Sequence, residues 1–403
     1  MEYKIENLNH QGMGITKVNG KITFIPKTIP GDIIELLITK EHKNYNEGKL
    51  IKIITPSKDR INYNCPYYDK CGGCHIANLS YDKGLKYKKD KVINIFKKYN
   101  KIDIIPEIIP SPSFLHYRNK ITLHIKNNII GLYEEKTNNI IDIDNCLLVS
   151  DEINNIISSL KSIKDLNNIN KIEIRELDNS ITINIIGKYL TKEIQDLLSK
   201  DNITLYHNNI LIHGKKLPII TLDNYKFIVS PESFFQVNTK QTINLYKEIL
   251  EISKPTREDR ILDLYCGTGT IGIYLSQHCK EVLGIEINKS SIENANKNKE
   301  INNIKNIQFK LGDVSKVLDI DYKADIIIVD PPRSGLDKHT IDTILKIKSK
   351  KIIYVSCDPI TLSRDINIFK DNYKLNNIKL YDMFPNTYHV ETVMVLERKW
   401  LWK

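Results

Sequence analysis

A thiol at the end of a predicted strand is the first feature of this sequence that suggests chemistry. The segment YVSCDPITLSRD (354–365) runs from apolar residues through Cys357 to an Asp-Pro pair that begins a predicted helix. Asp358 can cap that helix and Pro359 fits its first turn, so N–H groups with partial positive charge lie near the thiol. Cys357 is therefore a candidate nucleophile.

A glycine-rich turn marks a second candidate site. The stretch ILDLYCGTGTIG (261–272) predicts a strand, a turn and a helix, and its glycines fit the G-x-G-x-x-G pattern of dinucleotide sites. Asp263, just before the turn, can face an ammonium group, which S-adenosylmethionine carries and a pyrophosphate lacks. The sequence DPPR (330–333) after a later strand is also typical of methyltransferase sheets. Together these features favour S-adenosylmethionine over a dinucleotide.

Three cysteines within ten residues form a third candidate site. The segment CPYYDKCGGC contains Cys65, Cys71 and Cys74, and Cys146 is the best-placed fourth ligand. Four thiolates suit either tetrahedral zinc or a [4Fe–4S] cluster. Because all-thiolate zinc sites usually combine two C-x-x-C pairs, this spacing favours iron–sulfur. For Cys146 alone, a buried core thiol is the alternative.

Four regions of different pattern must position these residues. Short β-like runs broken by glycine turns predict a small OB-like barrel in residues 1–58. A basic amphipathic helix is predicted within residues 80–100, and strands with one helical stretch predict an α+β domain from about 104 to 235. After about residue 240, strands and helices alternate, which predicts a parallel sheet covered on both faces.

The predicted parallel sheet brings the candidate residues to one edge. Ligands bind at the carboxyl ends of such strands, where the strand order reverses. Five predicted strands are followed by residues suited to binding or catalysis, namely Tyr265, Glu286, Asp313, Asp330 and Cys357.

Charge and composition indicate the partner and the compartment. Residues 1–100 contain 18 Lys and Arg against 10 Asp and Glu, so they carry +8 of the net charge of +10 in a chain of 403 residues. This indicates either an anionic partner such as nucleic acid or a solvated lysine surface. The first residues have no apolar signal region, and no stretch approaches the length of a membrane span. We expect a cytoplasmic protein without a membrane partner.

Taken together, these segments resemble the RNA 5-methyluridine methyltransferases. The likeness rests on motifs in the family's order, namely CPYYDKCGGC, YRNK, SFFQVN, DLYCGTGT, DPPRSG, SCDPITLSRD and FPNTYHVET. The chain is similar to the 23S ribosomal RNA (uracil-5-)-methyltransferases with a TRAM barrel and an iron–sulfur cluster. The resemblance implies a TRAM-like barrel at 1–58, a central iron–sulfur and RNA-binding α+β domain at 59–235, and a Rossmann-like S-adenosylmethionine-dependent domain at 236–403. We expect a monomer.

The resemblance also implies roles for individual residues. S-adenosylmethionine contacts are expected from Gln236, Tyr265, Glu286, Asp313 and Asp330. A [4Fe–4S] cluster is expected on Cys65, Cys71, Cys74 and Cys146. Cys357 is expected to add to the uracil ring and Glu391 to remove its C5 proton. A helix and a hairpin separate the two residues, which is enough chain to return Glu391 to the same edge.

Several alternatives remain at this point. We expect 23S ribosomal RNA as the substrate, with transfer RNA as the alternative. A non-catalytic iron–sulfur RNA-binding protein would not need the intact Cys357, Glu391 and Asp330. An amino-methyltransferase would leave Cys357 unexplained, and only the family resemblance separates uracil from cytosine as the target. Arg333 and His389 have no assigned role.

Overall fold

A six-stranded sheet forms the N-terminal part of the protein. The structure is a computed structural model that describes residues 1–178, 180–214 and 218–399. The strands are β1 (Tyr3–Lys4), β2 (Asn7–Leu8), β3 (Gly14–Val18), β4 (Lys21–Ile25), β5 (Ile33–Glu41) and β6 (Tyr45–Thr55). Their order is β1-β5-β6-β4-β3-β2, around a small core of isoleucines. The predicted N-terminal β unit is confirmed.

Helix α1 (Tyr81–Tyr99) joins this sheet to the rest of the chain. Its apolar residues recur every three or four positions, so Val92, Ile95 and Phe96 pack inward while most of its lysines stay outside. Lys88 is an exception, because it is buried and pairs with the buried Asp382 at 2.5 Å. The helix thus packs against the C-terminal domain through an ion pair as well as an apolar face.

The central part of the chain has the predicted α+β composition. Strand β7 (Glu107–Ile109) lies within the range predicted for this domain, but it pairs with a strand of the C-terminal sheet, so the predicted boundary does not hold for this strand. The following strands are β8 (Lys120–Lys126), β9 (Ile129–Tyr133), β10 (Ile140–Asp142), β11 (Ile169–Leu177), β12 (Ser180–Gly187), β13 (Ile203–His207) and β14 (Ile210–His213), with helices α2 (Asp151–Leu160) and α3 (Lys192–Leu198). These seven strands form one sheet in the order β10-β9-β8-β11-β12-β13-β14. A separate hairpin follows, made of β15 (Ile219–Leu222) and β16 (Tyr225–Ile228).

The C-terminal part is the predicted sheet with helices on both faces. Its strands are β17 (Arg260–Leu264), β18 (Glu281–Glu286), β19 (Ile307–Leu311), β20 (Ile326–Val329), β21 (Lys351–Ser356), β22 (Tyr373–Tyr381) and β23 (Glu391–Arg398). Its helices are α4 (Thr239–Ser253), α5 (Thr270–Ser276), α6 (Lys289–Ile301), α7 (Val314–Val317), α8 (Lys338–Ile347) and α9 (Pro359–Phe369). The strand order is β19-β18-β17-β20-β21-β23-β22-β7. Continuous apolar strands such as IIIV in β20 are buried because two hydrophobic clusters cover the two faces.

The connection of the strands sets the position of the site. The chain runs from β17 outward to β19 and then returns to β20 on the other side of β17, so the strand order reverses between β17 and β20. In open sheets of this type, a crevice forms at the carboxyl ends of these two strands. Among the residues that the structure describes, no helix combines the length and apolar character needed to cross a membrane.

Candidate active site

Cys357 and Glu391 meet at the carboxyl edge of the sheet. Strand β23 runs antiparallel to β21, and the last pair of their ladder is Ser356 with Thr392. Cys357 follows the first of these residues and Glu391 precedes the second, so the two stand opposite each other. Glu391 is 3% exposed. The hairpin of β22 and β23 therefore brings an acid from a distant part of the sequence to the thiol.

Burial and the neighbouring charges together control the ionisation of Cys357. Burial raises the pKa of the Cys357 thiol to about 12, and the negative charge of Glu391 adds to this, whereas the Arg333 guanidinium opposes it. As predicted, Asp358 caps α9 by accepting the backbone N–H groups of Ile360 at 2.8 Å and Thr361 at 3.1 Å, with Pro359 in the first turn. The carboxylate of Asp358 also raises the thiol pKa. Arg333 is thus the nearby cation that favours the thiolate.

The carboxyl groups of the buried Glu391 and the half-buried Asp330 interact electrostatically. Burial raises the pKa of Asp330 to about 7. Burial also raises the pKa of Glu391, and the charge of Asp330 raises it further while Arg333 lowers it. A carboxylate with a raised pKa accepts a proton more readily than an exposed one, which suits a general base.

A small cavity lies beside the glycine turn at the sheet's reversal point. Its volume is about 50 Å³, and three residues predicted to bind the cofactor line it, namely Gln236, Tyr265 and Asp330. Tyr265 has a positive φ of 62°, a conformation that costs energy for a residue with a side chain and is common in functional turns. Gly267 also has a positive φ, and its α-carbon faces open space, so a ligand can approach the backbone closely.

Glu286 and Asp313 lie near this cavity without lining it. Glu286 accepts the Gly267 N–H at 3.1 Å and the Asn288 N–H at 2.8 Å, so it holds the turn and the start of α6 together. Asp313 caps α7, accepting the backbone N–H of Ser315 at 3.0 Å and its hydroxyl at 2.8 Å. Each carboxylate is therefore already engaged with its own helix.

Asp263 lies beneath the glycine turn. One of its oxygens accepts the Gly272 N–H at 3.0 Å, and its other oxygen has no partner among the described residues. Burial raises the pKa of Asp263 to about 7. Because Asp263 supports the turn from below and does not line the cavity, its expected place opposite an ammonium group is not supported.

The four cysteines of the predicted cluster line one cavity. This cavity has a volume of about 360 Å³ and contains the side chains of Cys65, Cys71, Cys74 and Cys146. The Gly73 N–H donates to the Cys71 sulfur at 3.3 Å, and the buried Lys27 donates to the carbonyl oxygens of Cys71 and Cys74. No group of three or more His, Cys, Asp or Glu side chains in the described parts of the chain is arranged to hold a metal ion. The fold thus gathers the predicted ligands, while the predicted metal site itself lacks support.

Three further residues near the site carried no clear sequence signal. Arg333 and His389 line a cavity of about 120 Å³ with Cys357, and their nitrogen atoms lie 3.5 Å apart. Burial lowers the pKa of His389 to about 3, so its ring is neutral at physiological pH. Tyr246 lines the cavity beside the glycine turn, and its hydroxyl lies 2.8 Å from that of Thr270. In the sequence, nothing distinguishes Tyr246 from an ordinary aromatic residue of an amphipathic helix.

Known proteins match this chain over most of its length. Residues 156–399 match the family model described as tRNA (Uracil-5-)-methyltransferase. Residues 1–58 match the one described as the TRAM domain of tRNA (uracil(54)-C(5))-methyltransferase. An "Uncharacterized RNA methyltransferase" of Clostridium tetani is 35% identical, covering 97% of this chain and 95% of the relative. Another of that description from Halalkalibacterium halodurans is 33% identical and covers 99% of this chain and 97% of the relative.

A solved structure has the same architecture. It is the crystal structure of Pyrococcus abyssi tRNA (uracil-54, C5)-methyltransferase in complex with S-adenosyl-L-homocysteine. It is 29% identical in sequence, superposes with a TM-score of 0.81, and covers 98% of this chain and 100% of its own.

Proposed function

The chain belongs to the tRNA (uracil-5-)-methyltransferase family, and from this premise we propose that Cys357 and Glu391 carry out methyl transfer to a uridine of 23S ribosomal RNA. The protein is an enzyme, an RNA (uracil-5-)-methyltransferase that uses S-adenosylmethionine. The observation that supports the proposed residues is the strand register, which sets Cys357 opposite the buried Glu391 one position beyond the Ser356–Thr392 pair.

The proposed reaction begins with the thiolate of Cys357. C5 of uracil is a poor nucleophile, so the sulfur adds to C6 and the electrons of the C5–C6 double bond move into the C4 carbonyl as an enolate. The enolate carbon C5 then takes the methyl group that S-adenosylmethionine supplies. Glu391 removes the remaining C5 proton, the C5–C6 double bond forms again, and the C6–S bond breaks to release the thiolate. Arg333 favours the thiolate at the start and the end of this sequence.

Cofactor binding is assigned to the reversal point of the sheet. We assign Gln236, Tyr265 and Asp330 to direct contact, because they line the cavity beside the open backbone of Gly267. Glu286 and Asp313 would contribute from the adjoining edge. The cavity of about 50 Å³ is large enough for only one end of S-adenosylmethionine, so the other end would extend over the edge of the sheet where Glu286 and Asp313 lie.

We propose that the cysteine cavity holds a [4Fe–4S] cluster, on the ground of its donor set. Four thiols face one space, and Arg118 borders it with a buried Nε that has no partner among the described residues. A cation and the Gly73 N–H would offset the negative charge of thiolate ligands. When bound, a cluster would cross-link the loop 65–74 to Cys146.

The substrate RNA is tested by nucleoside mass spectrometry. The likeness of the motifs and the cysteine set to 23S enzymes with an iron–sulfur cluster supports 23S ribosomal RNA, whereas the two family models, one of which covers the barrel, and the Pyrococcus abyssi structure favour transfer RNA as a second candidate. Purified protein is incubated with S-adenosylmethionine and unmodified transcripts of 23S ribosomal RNA or transfer RNA, and 5-methyluridine is quantified and mapped. Methylation of the 23S transcript alone supports the proposal. Methylation of transfer RNA alone would reject 23S ribosomal RNA as the substrate and make transfer RNA the substrate instead.

A further inference from the structure

A groove runs between the first turn of the N-terminal sheet and helix α1. Its volume is about 420 Å³, and residues 7–10 form one wall while α1 forms the other. The groove continues into the cavity in front of Cys357, because His10, Lys91, Ile95 and Ile360 line both spaces. A chain lying in the groove would therefore lead directly to the proposed nucleophile.

The turn that forms the first wall is held in place from three directions. The Tyr87 hydroxyl on α1 donates to the Asn9 carbonyl oxygen at 2.8 Å. The Asn9 side chain accepts the N–H groups of Gln11 and Met13, each at 2.9 Å. Gly12 adopts a φ of 76° and packs so closely that an added Cβ would lie 2.8 Å from Ile76. The N-terminal sheet is thus docked beside the active site in a defined position.

The helix wall of the groove carries exposed cations. Lys83, Lys86 and Lys98 all line the groove and are exposed. Lys83 pairs with Asp59 at 3.4 Å and Lys86 with Asp90 at 2.6 Å. Exposed pairs of this kind contribute little to stability, so a phosphate can replace either acid at little cost.

An aromatic side chain lies beside the last of these lysines. Tyr99 is 50% exposed, and the Lys98 ammonium stands 5.0 Å from its ring centroid. Cations beside an exposed aromatic ring are typical of surfaces that bind single-stranded nucleic acids, since the phosphates bind the cations and the bases stack on the ring.

We infer that this groove binds the single-stranded nucleotides that flank the target uridine, with their phosphates on Lys83, Lys86 and Lys98. The inference rests on the proposed function, because it takes the groove's opening at Cys357 as the place where the target base enters. It also gives the N-terminal sheet a positioning role, since His10 stands at the junction of the groove and the Cys357 cavity.

The first test measures the salt dependence of RNA binding. The probe is a fluorescent oligouridylate, and the variant Lys86→Ala/Lys98→Ala is compared with Lys346→Ala/Lys374→Ala. The control lysines are exposed at the opposite end of the C-terminal sheet, Lys346 in the last turn of α8 and Lys374 as the second residue of β22. Each phosphate contact on a single strand contributes about 0.7 to the slope of log K against log salt. The magnitude of the slope should be about 1.4 smaller for the groove variant than for the wild-type protein. The slope of the control variant should equal that of the wild-type protein.

The second test locates the RNA. An oligouridylate containing 4-thiouridine is irradiated with the wild-type protein, and the cross-linked peptides are identified by mass spectrometry. Cross-links in residues 83–99 and 7–13 support the inference. Equal slopes for the two variants, or cross-links confined to other segments, overturn it. Both tests measure binding and not turnover, so a wild-type protein that leaves 23S ribosomal RNA unmethylated would reject the proposed function and not the groove.

Discussion

Glu391 stands opposite Cys357 at the ends of two neighbouring antiparallel strands, although 33 residues of the sequence separate them. The hairpin of β22 and β23 inserts β23 directly beside β21, and the register of that pair sets the position of both side chains. Burial and the charge of Glu391 both raise the pKa of the Cys357 thiol, so the two groups are coupled electrostatically as well as by geometry.

Replacement of Cys357 by alanine should abolish methyl transfer. The substitution removes the sulfur that makes C5 nucleophilic, while the residues around the cofactor cavity stay in place. Transfer of a radioactive methyl group from S-adenosylmethionine to RNA measures the first effect, and calorimetric titration with S-adenosylhomocysteine measures the second. An active Cys357→Ala enzyme would reject the covalent mechanism.

The variant Glu391→Gln should accumulate a methylated covalent complex with RNA. Without a base to remove the C5 proton, the double bond cannot form again and the C6–S bond stays intact. The complex is detected as a slower band on a denaturing gel, and Glu397→Gln at the far end of the same strand is the matched control. If Glu391→Gln is slow but forms no complex, another group removes the proton.

Alkylation of Cys357 should accelerate with pH without levelling off. Burial and Glu391 raise the pKa of the thiol to about 12, and only the thiolate reacts with iodoacetamide. Below its pKa, the thiolate fraction rises about tenfold for each pH unit, whereas the thiolate fraction of a thiol with an ordinary pKa of about 8.5 levels off between about pH 9 and pH 10. Peptide mass spectrometry from about pH 7 to pH 10 measures the rate. A plateau within this range would contradict the raised pKa, and Arg333→Ala should slow the reaction at every pH.

Anaerobic purification should give a brown protein with about four iron atoms per chain. Cys146→Ser should lower the iron content, because Cys146 lines the same cavity as the other three cysteines. Cys279→Ser is the control, since Cys279 is buried elsewhere, in the core beneath α5. Iron is measured by mass spectrometry of the metal and by visible absorbance. Stoichiometric zinc without iron would reject the cluster, and unchanged iron in Cys146→Ser would remove that residue from the ligand set.

The variant Lys88→Met should destabilise the protein strongly. Lys88 and Asp382 are each about 1% exposed and lie 2.5 Å apart, so removing the ammonium leaves a buried carboxylate without its partner. Breaking a buried pair in this way costs about 3–5 kcal/mol of the free energy of unfolding. Lys97→Met, on the exposed side of the same helix, should cost less than about 0.5 kcal/mol. Urea unfolding measures both, and equal midpoints would contradict the importance of the pair.

The sequence by itself determined the class of fold and the edge of the sheet that carries the site. Alternation of apolar strands with helices specifies a parallel sheet, and every strand of such a sheet ends on the same side. Residues that follow successive strands, such as Tyr265, Asp330 and Cys357, must therefore meet there. The glycine turn and the helix cap formed by Asp358 could also be predicted from the sequence, because both depend on residues adjacent in the chain.

Only the tertiary structure decided which groups face one another across elements. The neutral ring of His389 beside Arg333, the buried pair of Lys88 and Asp382, and the placement of β7 in the C-terminal sheet join segments distant in sequence. A periodic pattern reports which face of one element is apolar, but it carries no information about the partner of that face. For this reason the sequence did not show that Lys88 of the basic helix is buried. It also did not show that the turn at Asn9 packs against α1 to form a wall of the groove that leads to Cys357.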